Sequence, residues 1–426
     1  MKGRSLTLLL LTLGASMLAS ADCGLSAPTK SCEPIDELLA GADAGYPILN
    51  SVMADPERYR VQILYTRVDR DRNNKPVLRS YQSGLDANRY FYPASTVKLP
   101  ISLLALEWLA EQDIDGLTSE TGMLTDAATP AQTTAHRDPT AENGIPSIAH
   151  YIKKILLVSD NDASNRLYEL LGQDYINQKL AAKGLKNTLI NHRLSTRISE
   201  EENRQYNPIR FIGPEGNTIL AIPERRSDYR YINTARPELG QAYISAGEKI
   251  EAPMDFTSKN RLALADLDGI VKRLIFPQLF AETEQFHLRK EDRALVIRYM
   301  STLPPHSKSP KYDSGEYPEN YSKFLMFGGE ARNIPDHIKV FNKSGWAYGH
   351  VVDSTYIIDL ENQVEFFLSA VIYANENDTL NDDEYQIDEV AKPFMRELGT
   401  FIYQHELERR RPNKPDLTAI REITGS

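Results

Sequence analysis

Ser95-Thr96-Val97-Lys98-Leu99-Pro100-Ile101-Ser102-Leu103-Leu104-Ala105-Leu106-Glu107-Trp108-Leu109 is the stretch from which the rest of the chain is read. Over 97–109 it is apolar on nearly all sides, the pattern of a helix buried all round rather than one lying on a surface. Ser95 stands at the N-terminal end of that helix, where unpaired N–H groups and the macrodipole favour a developing negative charge. Lys98, three residues on, falls on the same helical face as the Ser95 hydroxyl. Pro100 has no N–H and is expected to distort the first turns slightly. Taken alone, the pair reads equally well as an N-cap followed by a solvated lysine.

Two more short motifs follow. Ser159-Asp160-Asn161 falls between a stretch apolar at Ile148, Ile152, Ile155 and Leu156 and a second helical stretch, 163–171, closed by Gly172. It is therefore an interhelical turn, and for Asp160 and Asp162 the plain role is to cap the second helix. Lys343-Ser344-Gly345 precedes two β-like runs, 351–360 and 364–373, with Glu361-Asn362-Gln363 as the turn between them. That puts it on or beside the first strand of a hairpin, where Gly345 lets another backbone approach closely. The alternative for Lys343 is an ordinary edge-strand lysine. By residue frequencies an S-x-x-K arises by accident about once or more in such a chain, but all three motifs in this order in about one per cent of chains or fewer.

The set S-x-x-K, S-D-N, K-[ST]-G resembles that of the penicillin-interacting serine enzymes, which include class A β-lactamases and penicillin-binding proteins. The resemblance covers nearly all of the chain beyond residue 21. It implies an α+β fold of the class A β-lactamase and DD-peptidase type: an antiparallel sheet built from both ends of the chain, terminal helices packed on one face, and an all-α part from the middle. It also implies roles. Ser95 is the nucleophile and Lys98 the base. Ser159 passes a proton to the leaving nitrogen. Asn161 holds a substrate amide and the Lys98 side chain. The backbone N–H groups of Ser95 and Trp346 form the oxyanion hole, and Lys343 and Ser344, with Gly345 beside them, bind a substrate carboxylate. No cofactor or metal is implied. The partner is a small-molecule or peptidoglycan-like substrate.

Two departures qualify the resemblance. Class A β-lactamases carry a water-activating glutamate on a loop after S-D-N, in a pattern like R-L-x-R-x-E-x-x-L-N. Here the loop reads Arg193-Leu194-Ser195-Thr196-Arg197-Ile198-Ser199-Glu200-Glu201-Glu202-Asn203. Anchored on Arg197 and Asn203, the glutamate slot holds Ser199, and a shift of one residue offers Glu200. The plain reading of Glu200, Glu201 and Glu202 is a solvated acidic turn. The second departure is length. The 184 positions from Ser159 to Lys343 exceed the family's usual separation by several tens of residues. The excess is placed near 204–257, a polar, tyrosine- and arginine-rich stretch read as a surface insertion, with a lid over the pocket as the functional alternative.

The chain opens like a secretory signal: Lys2 and Arg4, an apolar stretch over 6–13, and Ala19-Ser20-Ala21 as the cleavage site. Cleavage leaves 405 of 426 residues and, with two basic residues lost, moves the formal charge from −10 to −12. Such acidity argues against nucleic acid and anionic membranes as partners. No later segment has the length and apolarity of a membrane span. Cys23 and Cys32 are expected to close a disulfide in an oxidising compartment. The eight histidines are scattered without a metal-ligand spacing.

Further elements are expected as a helix over 34–53, a hairpin of 61–68 and 77–83, helices at 262–276 and 291–300, and a terminal helix over 387–409. The organisation expected is a signal over 1–21 and one hydrolase domain over 22–426. Its α/β part spans about 33–93 and 330–426, and its helical part about 94–329. The function expected is that of a periplasmic or secreted serine hydrolase forming an acyl-enzyme at Ser95 and opening cyclic amides of the β-lactam type. The alternatives are a DD-peptidase or esterase that clears β-lactams slowly, and a non-catalytic penicillin-binding sensor.

Overall fold

The structure, a computed structural model, describes residues 26–425. The expected signal segment and Cys23 lie outside them. Cys32, which is not a free thiol, begins the first strand.

A six-stranded sheet organises the molecule. Its strands are β1 (Cys32–Pro34), β2 (Gln62–Arg70), β3 (Pro76–Ser83), β4 (Ile338–Ala347), β5 (His350–Asp359) and β6 (Val364–Tyr373). They lie in the order β1-β3-β2-β6-β5-β4, so the two ends of the chain meet where β2 pairs with β6. All pairs are antiparallel except the short β1 on β3. Alternation along the strands serves two cores. On β6, Phe366, Leu368 and Ile372 pack with helices α1 (Pro47–Ala54) and α7 (Lys392–Glu408), which come from opposite ends of the chain. Phe367 and Val371 face the other way, toward the helical part.

That helical part is built around α2 (Lys98–Gln112), with α3 (Ile148–Val158), α4 (Asn161–Ala182), α5 (Leu264–Ile275) and α6 (Lys290–Ser301) packed about it and the sheet. Eleven of the fifteen residues of α2 are buried, which is why its sequence carries no polar stripe. The fold class is as expected, with two corrections. The 34–53 segment is not one helix: Pro34 ends β1, and only a four-residue helix, Asp36–Leu39, precedes α1. Gly172 does not end its helix. It breaks the geometry at φ 74 and ψ 152, and the helix resumes to Ala182. As expected, the K-S-G motif lies beside the first strand of the 351–373 hairpin, within β4, a ten-residue strand paired with β5. The 204–257 stretch folds into short strand pairs.

Candidate active site

Ser95 lies in a 3-10 turn, Ala94–Val97, that runs directly into α2. Ala94 sits in the left-handed region at φ 48, a conformation that an alanine adopts only at a cost and that is frequent beside functional groups. Ser95 is the one residue of that turn that is not buried. Lys98 is fully buried. Its hydrogen bonds run to the S-D-N turn rather than to Ser95 Oγ. It donates to the Ser159 carbonyl, to Asn161 Oδ1 at 2.6 Å and to Ser159 Oγ at 3.3 Å. A neutral amine has two N–H groups, enough for the carbonyl and the amide, which frees its lone pair to take a proton.

The S-D-N turn is built by two helix ends. Ser159 is the left-handed C-cap of α3, at φ 59. Asp160 is the N-cap of α4 and accepts from Ala163 N at 2.8 Å, with Lys154 3.3 Å away. Asp160 thus has the capping role expected of it, and exposed Asp162 pairs with buried Arg166 at 3.0 Å. Lys343, also buried, reaches from β4 to donate to Ser159 Oγ at 3.0 Å and to the Ser344 carbonyl at 2.7 Å. Ser159 Oγ is thus the meeting point of both lysines.

Gly345 explains how β4 comes so near. A Cβ there would stand 2.6 Å from Ser95 N and 3.0 Å from Thr96 N, so only glycine lets the strand lie against the turn. The next residue, Trp346, has its ring 55% exposed and within 6.0 Å of the Lys392 amine. Ser344 Oγ donates to the Ser322 carbonyl at 2.7 Å. Ser95, Lys98, Ser159, Asn161, Lys343, Ser344, Gly345 and Trp346 are therefore brought to one place from three elements.

Burial sets the electrostatics. It holds the Lys98 amine well below the ordinary lysine value, and neighbouring Lys343 adds to this while Asp160 opposes it. Lys343 is pushed down to about 7, again by burial first. Asp353 opposes that shift and Lys323 adds to it. Both amines are thus held below the ordinary lysine value while touching one hydroxyl, an arrangement suited to relaying a proton.

Glu200 is not with them. It opens a four-residue helix, Glu200–Asn203, and its carboxylate pairs with exposed Arg230 at 2.9 Å. Glu201 pairs with Arg226 at 2.9 Å. Glu202 closes a capping box with Ser199, accepting from Ser199 N at 2.6 Å. The acidic run and the Ser199 slot are consumed by a helix start and by arginines of the insertion. The loop residue that touches the site is Ser195, whose Oγ accepts from Asn161 Nδ2 at 2.9 Å.

Other residues at the site were not singled out from sequence. Behind β4, buried Lys323 donates to Asn342 Oδ1 at 2.7 Å, and Asn342 Nδ2 donates to Asp353 at 2.8 Å. A lysine heading the apolar run Phe324-Leu325-Met326-Phe327 was the available signal. The insertion also arrives here. Phe256, fully buried, packs on Tyr90, Tyr92 and Tyr348 with ring centroids 5.6, 5.9 and 5.1 Å away. Tyr92 leads into the Ser95 turn and Tyr348 follows Trp346. Among the described residues no group of three or more His, Cys, Asp or Glu could hold a metal ion, and no helix is long and apolar enough to cross a membrane.

The profile of the β-lactamase enzyme family (Beta-lactamase2) matches residues 54–218, a span that holds both the Ser95 and the Ser159 motifs. Over that span the chain is similar to the β-lactamase enzyme family. No curated protein sequence matches the chain. Among solved structures it is similar to a β-lactamase from Sphaerobacter thermophilus DSM 20745, at 13% identity and a TM-score of 0.46, over 86% of this chain and 98% of that one. It is similar to PBP-A at 16% identity and a TM-score of 0.47, over 89% and 99%. The β-lactamase from Streptomyces albus G gives 14% identity and a TM-score of 0.44, over 84% and 99%.

Proposed function

We propose that this chain is an exported serine acyl-transfer hydrolase that forms an acyl-enzyme at Ser95 and clears β-lactam acyl groups slowly. The observation that carries the reading is the Lys98–Ser159–Lys343 contact chain beside the one open hydroxyl of the Ser95 turn. Ser95 Oγ attacks the carbonyl carbon of an amide, and its proton passes to neutral Lys98. Backbone N–H groups of Ser95 and Trp346 hold the oxyanion. The tetrahedral adduct collapses as the C–N bond breaks, and the Ser159 hydroxyl gives its proton to the leaving nitrogen. Lys98 returns the first proton to Ser159, and water then hydrolyses the ester to free acid and Ser95. Lys343 and Ser344 bind a carboxylate on the substrate.

Slow clearance follows from the loop. Glu200, Glu201 and Glu202 are each engaged by an arginine or a capping serine, so no carboxylate of that run is free to activate the second water. This favours a DD-peptidase or esterase-like enzyme on a peptidoglycan-like substrate over a dedicated antibiotic hydrolase. Export rests on the Lys2, Arg4, 6–13 and Ala19-Ser20-Ala21 pattern. The test is labelling with a fluorescent penicillin together with turnover of a chromogenic cephalosporin. Labelling that vanishes in Ser95→Ala, with slow turnover, is expected. Labelling unchanged in that variant refutes the reading.

A further inference from the structure

An open cavity of about 640 Å³ lies where one end of the sheet meets the 204–257 stretch, and it shares no lining residue with the Ser95 site. That volume falls within the range of small-molecule sites, about 300–1,000 Å³. Its wall is held in backbone that costs energy. Arg60 and Arg236 both sit in the left-handed region, at φ 46 and φ 42, which residues with a Cβ seldom adopt and which recurs where ligands are clamped. Gly84, at φ 62, brings the end of β3 so near the start of β2 that a Cβ there would stand 2.4 Å from the Val61 carbonyl oxygen.

The lining carries three arginines and three carboxylates, balanced as a set but not pair by pair. Arg89 holds Glu57 through two hydrogen bonds, at 2.6 and 3.2 Å. Arg236 pairs with Asp86 and donates from Nε to the Asn88 carbonyl at 3.0 Å. Arg60 and Glu238 are left over. Arg60 gives one N–H to the Tyr90 carbonyl at 2.9 Å, its buried Nε has no acceptor, and among the described residues it makes no ion pair. Asp378, which acts on it from beyond ion-pair distance, accepts from the Tyr373 hydroxyl at 2.9 Å. Burial, and after it the Arg89 charge, hold the Arg60 pKa below the ordinary arginine value, as expected of a cation with too little negative charge about it. Glu238, exposed on a two-residue strand, makes no ion pair or side-chain hydrogen bond among the described residues.

We propose that this cavity binds a zwitterion, a free amino acid or a short peptide with unblocked ends, whose carboxylate lies on Arg60 and whose ammonium lies on Glu238. The free Nη donors of a guanidinium suit a carboxylate, and an ammonium needs an acceptor that carries charge. A ligand without net charge leaves the two existing ion pairs and the overall balance undisturbed. A simple anion would answer Arg60 alone and face three carboxylates. The inference is independent of the acyl-enzyme reading, in which none of these residues takes part.

The test titrates the full chain calorimetrically with alanine, dialanine, trialanine and tetraalanine, each also with its amine acetylated or its carboxylate amidated, and separately with inorganic phosphate. At least one free member of the series is expected to bind, and blocking either of its ends to weaken binding about tenfold or more, the worth of one hydrogen bond to a charged group. Arg60→Gln should then bind the free and amidated forms alike, and Glu238→Gln the free and acetylated forms alike. Because Glu238 makes no side-chain contact with a charged or polar partner in the fold, its variant reads binding without disturbing folding. No binding by any member, equal binding of free and end-blocked forms, or phosphate binding as tight as that of the best peptide overturns the inference. So does binding that survives both substitutions and is lost in Lys343→Met, which would place the peptide at the Ser95 site.

Discussion

If the proposed function holds, Lys343 is one buried group that serves binding and costs stability together. Its amine must be charged to hold a substrate carboxylate, yet burial brings its pKa to about 7. Below about 7 the folded and unfolded chains both carry the charge, and the cost of burying it is complete. Between about 7 and 10.5 the unfolded chain still holds the proton and the folded one does not, so stability rises with pH across that window. Two outcomes follow. KM for a carboxylate-bearing donor should increase several-fold between about pH 6 and about pH 8.5, while a neutral donor shows no such rise. Lys343→Met should melt higher than wild type near pH 6 and lose the preference for carboxylate donors. A KM flat to pH 9 for both donors would show that Lys343 stays charged. Glu200 belongs to the same scale. Because Arg230 holds it, Glu200→Gln should change cephalosporin turnover by less than about twofold. A trapped acyl-enzyme in that variant would place Glu200 at the water after all.

At the scale of elements, the site depends on β4 lying against the Ser95 turn. Gly345→Ala places a methyl carbon 2.6 Å from Ser95 N, and the shift of about 1 Å that relieves the overlap is expected to cost about 100-fold in acylation rate. Far-ultraviolet circular dichroism should remain that of wild type, and acylation within tenfold of wild type would refute the close approach. These three motifs were legible because each needs a fixed residue type at a fixed spacing, and α2 was legible because burial all round leaves an apolar run. What escaped was whatever long-range contact decides. β4 was missed since Asn342-Lys343-Ser344 interrupts its apolar pattern, although Asn342 and Ser344 are paired once Ser322 and Lys323 lie alongside, and Lys343 once the S-D-N turn arrives. Ser199 looked like a displaced catalytic slot and is an N-cap, since the same short residues suit both. Ser195 gave no signal at all, because its contact is with Asn161, 34 positions away.

At the scale of the molecule, the sheet joins the two ends of the chain and the helical part supplies the Ser95 turn, so the candidate site forms only when distant segments meet. The 204–257 stretch is tied into that arrangement and is not a free lid. It adds Ala242–Ser245 in parallel to Thr379–Leu380, sends Arg230 to Glu200, and places Phe256 under the tyrosines that flank the Ser95 turn and Trp346. Phe256→Ala should cost about 3–5 kcal/mol of stability in a denaturant titration and lower the acylation rate of the protein that remains folded. A change below about 1 kcal/mol would mean the cluster is loosely packed. The proposed function requires that Ser95 is acylated and then released slowly. The most direct measurement is an intact-mass time course after a short exposure to a penicillin, with peptide mapping. The expected result is a single adduct of the penicillin's mass on Ser95 that outlasts removal of the free antibiotic and never forms in Ser95→Ala. An adduct on another residue, or rapid hydrolysis of the penicillin by Ser95→Ala, would contradict it.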